Sequence, residues 1–211
     1  MSRVSEWIVM EYFESLGYMV SQPCKYHATG RQKRPEEEVD IIVFNPLISK
    51  QRVPEHVLWS TTDLSEISCA VIGVYGWHTE RFYPAMLDHI PELLRFMNMD
   101  SVQLAGKRTG AREAAKILCL PHLPASKKLR EEILLTLKRK GINGVLMFQT
   151  MLMDLMNLVK TNRNYEKSDL LQMIRILKNY DLLKERQMDC LRRVKGTDRS
   201  AGTAETAAPA R

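Results

Sequence analysis

Two short apolar segments, each bordered by polar residues, constrain the fold of this chain most. Residues 39–44 follow an acidic run, and Asp40 is the one charge inside them. Residues 70–77 are rich in β-branched side chains and lead into a polar cluster at 77–82. Both segments predict buried strands. Because a carboxylate in an apolar strand has a desolvation cost, Asp40 is expected to have a hydrogen-bond partner, a bound metal ion or a solvent-facing position.

The composition excludes several classes of protein. With 45% hydrophobic and 27% charged residues, the chain of 211 residues is typical of a globular protein. No apolar run reaches the ~20 residues of a membrane span, and the first residues lack the apolar centre of a signal peptide. The four cysteines have no paired spacing. We therefore expect a cytoplasmic protein without disulfides and without a membrane partner.

The positive charge is concentrated in the C-terminal part. Residues 126–195 carry 16 Lys and Arg against 8 Asp and Glu, whereas residues 1–125 carry 13 against 15. The formal net charge of +6 therefore belongs to the second half of the chain. Such an asymmetry favours an anionic partner, most often DNA, although solvated helix faces give the same count.

Hydrophobic periodicity predicts the element order α-β-β-β-α-β up to about residue 120. A helix over 4–16 is predicted to end at Gly17, and strands are predicted at 18–23, 39–44, 70–77 and 116–120. The region after Pro124 is predicted to be all-helical, with helices over 126–140, 145–161 and 168–179 and a loose basic helix over 188–194. The predicted domains are a core at 1–124, a basic helical domain at 125–195 and a disordered tail at 196–211.

This order and its acidic residues resemble the PD-(D/E)xK restriction-endonuclease-like superfamily, in its Holliday-junction-resolvase form, over residues 4–120. The first helix bears Glu6 and ends in glycine and an aromatic residue, and residues 38–42 read Glu-Val-Asp-Ile-Ile. Both features are typical of that superfamily. Its third motif, hydrophobic-x-Glu-x-Lys, aligns with residues 71–75, and there the chain departs from the family. Gly73 replaces the acid and Tyr75 replaces the lysine.

The resemblance implies an α/β (α+β) fold with an αβββαβ core and a nuclease chemistry. In that chemistry, carboxylates on neighbouring strands hold Mg²⁺, the metal lowers the pKa of a bound water, and the lysine positions or deprotonates that water. Asp40 and Glu6 would hold the metal here. The remaining candidates are Glu80 or His78 to complete the ligand set and Arg81 or Lys25 to bind phosphate. Resolvase-like proteins are often dimers, so a homodimer is a further implication.

The departures leave two functions open. One is a DNA-binding, Mg²⁺-dependent endonuclease with a degenerate or migrated active site. The other is an inactive pseudo-nuclease that binds nucleic acid or a protein. The site residues have structural alternatives too. Asp40 could accept hydrogen bonds from backbone donors, and Glu6 is expected in a first helical turn because of the helix dipole. The cluster at 77–82 could cap a turn, with Arg81 in an ion pair, and Asp63 could cap a helix.

Candidate DNA contacts come from two regions. The basic loop at 25–35 supplies four of them, Lys25, Arg31, Lys33 and Arg34. The C-terminal helices weakly resemble a winged-helix module, in which a recognition helix would offer Arg175 and Lys178 to phosphates or bases. The spacing of Cys119 and His122 suits a zinc ligand pair, but a strand cysteine beside prolines is more often a small buried residue.

Overall fold

A computed structural model of the protein describes residues 3–23, 39–76, 78, 79, 82, 83, 86 and 91–183. The contacts between residues divide the chain into two compact units, with the boundary between Leu158 and Val159. The predicted loose helix at 188–194 and the predicted tail at 196–211 lie outside the described residues.

The first unit combines a sheet with helices on both of its faces. Its elements, in chain order, are α1 (Arg3–Ser15), β1 (Met19–Ser21), β2 (Ile41–Phe44), α2 (Thr61–Leu64), β3 (Cys69–Val74), a 3₁₀ helix (Pro91–Met97), α3 (Met99–Thr109), β4 (Ala115–Leu120), α4 (Lys127–Arg139), β5 (Gly144–Met147) and α5 (Phe148–Leu158).

The five strands form one open, mixed sheet in the order β1-β2-β3-β4-β5. β1, β2 and β3 are antiparallel neighbours, with Ile41 opposite Ile72 in the β2–β3 pair. β3, β4 and β5 are parallel neighbours, with Ile72 opposite Ile117 in the β3–β4 pair. The mixed α/β class expected from the sequence is therefore present, with an open five-stranded sheet.

Two layers of helices bury the sheet. On one face, Phe96 of the 3₁₀ helix joins a cluster with Val71 of β3, Leu118 of β4 and Ile133 of α4. α1 and α5 pack against each other on the opposite face. α1 buries the apolar face that its sequence predicts, Ile8, Val9, Tyr12 and Phe13. The chain leaves α1 through Gly17, whose φ of +85° disfavours residues with a side chain.

The prediction of an all-helical region after Pro124 is wrong for residues 144–147. Those residues form β5, which pairs with β4 and continues the sheet, and α5 begins only at Phe148. The segment Gly-Val-Leu-Met is too short for its periodicity to separate a strand from a buried helical turn. The predicted helices over 126–140 and 168–179 correspond closely to elements of the structure.

The described part of the second unit contains one helix, α6 (Asp169–Asn179). Ser168 caps this helix as predicted, because its Oγ accepts a hydrogen bond from the Leu171 backbone N–H at 3.2 Å. The winged-helix resemblance of this region stays a prediction.

Candidate functional site

Asp40 lies directly before β2, beside the C-terminal end of β3. Its Oδ2 accepts a hydrogen bond from the Val74 backbone N–H at 2.7 Å. Burial raises the pKa of Asp40 from 3.8 to about 6, the Val74 hydrogen bond lowers it, and the negative charge of Glu6 raises it further. One of the partners expected for this carboxylate, a backbone donor, is therefore present.

Glu6 lies in the first turn of α1. Its Oε2 accepts a hydrogen bond from Gln22 Nε2 at 3.1 Å. The influence of Glu6 on the pKa of Asp40 means that the two carboxylates are close enough to repel each other. That these two residues hold a metal ion together stays a prediction.

His78 reaches the same end of α1. Its Nε2 lies 2.9 Å from the Oγ of Ser5, the residue before Glu6, and its ring meets Phe148 edge-to-face at a centroid distance of 4.7 Å. Burial and the neighbouring His122 lower the pKa of His78, so the imidazole is neutral at pH 7. His78 therefore connects the segment after β3 to α1 through a hydrogen bond.

The described residues do not complete a metal site. Among them, no group of three or more His, Cys, Asp or Glu side chains is placed to hold a metal ion. Glu80 and Arg81 lie outside the described residues, as does the acidic run 36–38. The Cys119 thiol is fully buried, which raises its pKa, while His122 is exposed. For the Mg²⁺ that the resemblance implies, the described residues offer the two carboxylates of Asp40 and Glu6.

The position of the missing acid is occupied by an aromatic ring. A Cβ built on Gly73, where the resemblance would expect an acid, would lie 2.5 Å from both Cδ1 and Cε1 of Phe96. Tyr75 stands where the resemblance would expect a lysine. Its side chain is buried, and its ring meets that of Phe82 edge-to-face at a centroid distance of 5.5 Å. Its hydroxyl points to the sulfur of Met86, at 3.8 Å.

Aligning the motif one residue earlier or later along β3 does not place an acid or a lysine at the expected positions either. Val71 and Tyr75 belong to the cluster around Phe96, so the alternating positions Ile72 and Val74 face the side of α1. Both are apolar, and the whole of β3, Cys-Ala-Val-Ile-Gly-Val, has neither a carboxylate nor an amine. β3 therefore supplies no charged side chain to either face of the sheet.

A hydrogen-bonded chain that the sequence did not predict joins three helices of the first unit. The hydroxyl of Tyr12 on α1 lies 3.0 Å from Oγ1 of Thr61 on α2. The Thr61 hydroxyl in turn donates a hydrogen bond to Oδ2 of Asp154 on α5. Burial raises the pKa of Tyr12, so its phenol stays protonated. These residues are 49 and 93 positions apart in the chain, and no local motif connects them.

Asp63 has the structural role that the sequence offered for it. Its Oδ2 accepts hydrogen bonds from the backbone N–H and the hydroxyl of Ser60, both at 2.8 Å, at the start of α2. Its Oδ1 lies 3.1 Å from Nε2 of His56. Asp63 is thus the third helical residue of a capping box whose N-cap is Ser60, and its other carboxylate oxygen contacts the His56 ring.

The candidate DNA contacts divide into two groups. Lys25, Arg31, Lys33 and Arg34 lie outside the described residues. In the second unit, Arg175 Nε donates to the Thr161 carbonyl at 3.0 Å, and Lys178 Nζ donates to the Val159 carbonyl at 2.7 Å. Both side chains therefore hold the backbone that precedes α6.

Sequence reasoning did not single out α4, which carries exposed basic residues at both ends. They are Lys127, Lys128, Lys138 and Arg139, with Lys140 directly after the helix. Lys138 Nζ donates to the Glu55 carbonyl at 2.7 Å. The run at 138–140 is visible in the sequence, but only the structure shows that all three of its side chains are exposed.

Among the described residues, no helix combines the length and the apolar character needed to cross a membrane. Comparison of the chain with protein-family models, with curated proteins and with solved structures gives no match.

Proposed function

We propose that this chain is a pseudo-nuclease, a DNA-binding module on a restriction-endonuclease-like scaffold without phosphodiester cleavage. The observation that carries this proposal is the contact between Phe96 and Gly73. The ring fills the space in which the family's metal-binding carboxylate would begin. An acid restored at this position would have to displace a fully packed aromatic side chain.

The lost residues are those that the chemistry needs most. A metal-dependent nuclease needs carboxylates on neighbouring strands and a group that positions the attacking water. β3 supplies neither. Asp40 and Glu6 remain, but a pair of repelling carboxylates with one raised pKa is a poor substitute for a ligand set.

The charge distribution supports DNA as the partner. The exposed basic residues of α4 and the run at 138–140 offer several cations to phosphates without base-specific geometry. Binding of this kind releases counterions, so the affinity falls steeply as the salt concentration rises.

Cleavage at a migrated site is the second candidate function. It is favoured by the approach of Asp40, Glu6 and His78 to one end of α1. If this alternative holds, Glu80 and Arg81 would be the next residues to substitute in a cleavage assay.

The experiment is a cleavage and binding assay on plasmid and branched DNA with Mg²⁺ or Mn²⁺. The wild-type chain is compared with Asp40→Ala and with Arg139→Gln/Lys140→Gln. We expect salt-sensitive binding and no cleavage by any of them. Cleavage by the wild type that disappears in Asp40→Ala would establish the migrated site instead. Absence of binding at low salt would refute the DNA partner.

A further inference from the structure

The sheet continues by one residue beyond β5. Leu58 forms a parallel bridge with Val145, in which the Val145 N–H donates to the Val57 carbonyl at 2.6 Å and the Trp59 N–H donates to the Val145 carbonyl at 2.9 Å. These bonds use the backbone groups on either side of Leu58, so its own N–H and C=O point away from β5. Within the described part of the chain, neither group has a hydrogen-bond partner.

This outer segment is held rigidly in place. Trp59 is buried against β5 so closely that a Cβ on Gly144 would lie 2.3 Å from its ring. The Trp59 indole Nε1 donates to the His56 carbonyl at 2.8 Å, and Lys138 of α4 holds the Glu55 carbonyl. Leu58 therefore presents its free backbone groups in a fixed orientation.

An apolar groove of about 490 Å³ lies beside this edge, between residues 55–58 and α4. Val57, Leu58, Leu134 and Leu135 line it. Leu58 is 39% exposed and Leu135 is 55% exposed. Large apolar side chains gathered around a concave surface are typical of a binding site rather than of a solvated helix face.

We propose that Leu58 and this groove bind an extended segment of another protein by strand addition. The segment pairs its backbone with the N–H and C=O of Leu58, and an apolar side chain enters the groove between Leu58 and Leu135. Since Leu58 offers one donor and one acceptor, the backbone bonds supply orientation and the groove supplies most of the affinity.

The charges of the groove select the occupant. Glu55, Glu131 and Lys138 also line it, and all three are exposed. The Lys138 ammonium already donates to the Glu55 carbonyl, and the two carboxylates leave these three residues with a net charge of −1. The two carboxylates repel phosphate, which argues against nucleic acid at this surface, and they attract lysine or arginine. The segment that fits therefore has an apolar residue with a cation two positions away, because residues i and i+2 of a strand share a face. This site shares no residue with the Asp40 end of the sheet, and of the basic α4 residues proposed to contact DNA it includes only Lys138, so it does not depend on the proposed function.

The probe is an acetylated and amidated heptapeptide with leucine at its centre, lysine two residues to each side and threonine elsewhere. We expect it to shift the Leu58 amide signal in a ¹⁵N NMR titration of the full chain and to slow exchange of that amide. N-methylation of the backbone that pairs with Leu58 weakens binding about threefold to tenfold, since one hydrogen bond is lost. Replacement of both lysines by glutamate also weakens binding.

Leu135→Asn is expected to weaken binding about fivefold or more by removing an apolar wall of the groove. Leu129→Asn is the matched control, since Leu129 is an exposed residue of the same helix at 37% and does not line the groove. Equal affinities of the two variants, or no shift at millimolar peptide, would overturn the proposal. A concentration-dependent shift of the Leu58 amide without peptide, together with a dimer mass, would overturn it in favour of a second copy.

Discussion

The Phe96 ring lies where a side chain of residue 73 would have to begin. Two of its carbons are 2.5 Å from the position of a Cβ on Gly73, closer than real Cβ contacts occur. Phe96 is 2% exposed and belongs to the cluster that joins the 3₁₀ helix, β3, β4 and α4. The packing of this face of the sheet thus requires glycine at position 73. A carboxylate there would need the surrounding core to rearrange, not only residue 73 to change.

Gly73→Ala should destabilise the fold. Alanine favours a strand over glycine by about 0.5–1 kcal/mol, but overpacking against Phe96 costs about 1–3 kcal/mol, so the net change lowers the free energy of unfolding. Urea unfolding measures it. In a Phe96→Leu background the ring is absent, and the same substitution should cost less by about 0.5 kcal/mol or more. Equal costs in both backgrounds would show that the contact does not decide the stability.

Asp40 should make the stability depend on pH in an unusual direction. Its pKa is raised to about 6 in the folded protein, so folding favours the protonated acid. This contribution is fully present below the ordinary pKa of 3.8 and is lost as the pH rises through about 6. The amide oxygen that the Asp40→Asn substitution introduces can still accept the Val74 hydrogen bond. As the pH rises from 4 to 7, the free energy of unfolding of this variant should therefore increase by on the order of 2 kcal/mol relative to that of the wild type. Unfolding at several pH values measures this difference.

Asp63→Asn is the control of opposite sign. Burial raises the pKa of Asp63, but the hydrogen bonds from Ser60 and the contact with His56 lower it more, so the net shift is downward. Its contribution to stability is present above the ordinary pKa and is lost as the pH falls. If Asp40→Asn and Asp63→Asn changed the pH dependence in the same direction, the environment assigned to Asp40 would be wrong.

The Tyr12–Thr61–Asp154 chain should contribute to the stability of the first unit. Thr61→Val keeps the shape of the side chain but leaves the buried phenol of Tyr12 and the carboxylate of Asp154 without their shared partner. The expected loss is about 1–3 kcal/mol. Thr61→Ser retains a hydroxyl and should lose less. Thermal unfolding of the three proteins measures this, and a Thr61→Val protein as stable as the wild type would show that the hydroxyl does not contribute.

The sequence predicts those features that depend on local periodicity. The predicted first helix and its glycine end agree with Arg3–Ser15 and Gly17, because its apolar face repeats at the helical period. β3 and β4 are predicted to within three residues at each end, because their β-branched and apolar runs are bounded by polar residues and prolines. β5 is missed because its four apolar residues run directly into α5 without a turn signal.

The candidate site is only partly predictable for a similar reason. The acidic start of β2 and the first-turn position of Glu6 are local signals, and the role of Asp40 and Glu6 as a pair of metal ligands stays a prediction. The ring of Phe96 over Gly73, 23 positions away, is a tertiary contact that no spacing encodes. The edge at Leu58 likewise depends on its pairing with Val145, 87 positions later.

The surface at which the proposed DNA binding takes place can be tested by comparing two pairs of charges. Arg139 and Lys140 are exposed at the C-terminal end of α4, whereas Arg175 and Lys178 already donate to backbone carbonyls of the second unit. A phosphate contact from the second pair requires those hydrogen bonds to break. Arg139→Gln/Lys140→Gln should therefore reduce the slope of log affinity against log salt by about two, since each phosphate contact contributes about 0.9.

Arg175→Gln/Lys178→Gln removes the same charge and is the matched control. We expect it to change the slope little and instead to speed hydrogen exchange in residues 159–164, because the carbonyls of Val159 and Thr161 lose their donors. Filter binding at several salt concentrations measures both slopes. If the slope fell in the Arg175 and Lys178 variant alone, the DNA surface would lie on α6, where the winged-helix resemblance predicted it. In that case the basic residues of α4 would be solvated positions without a partner.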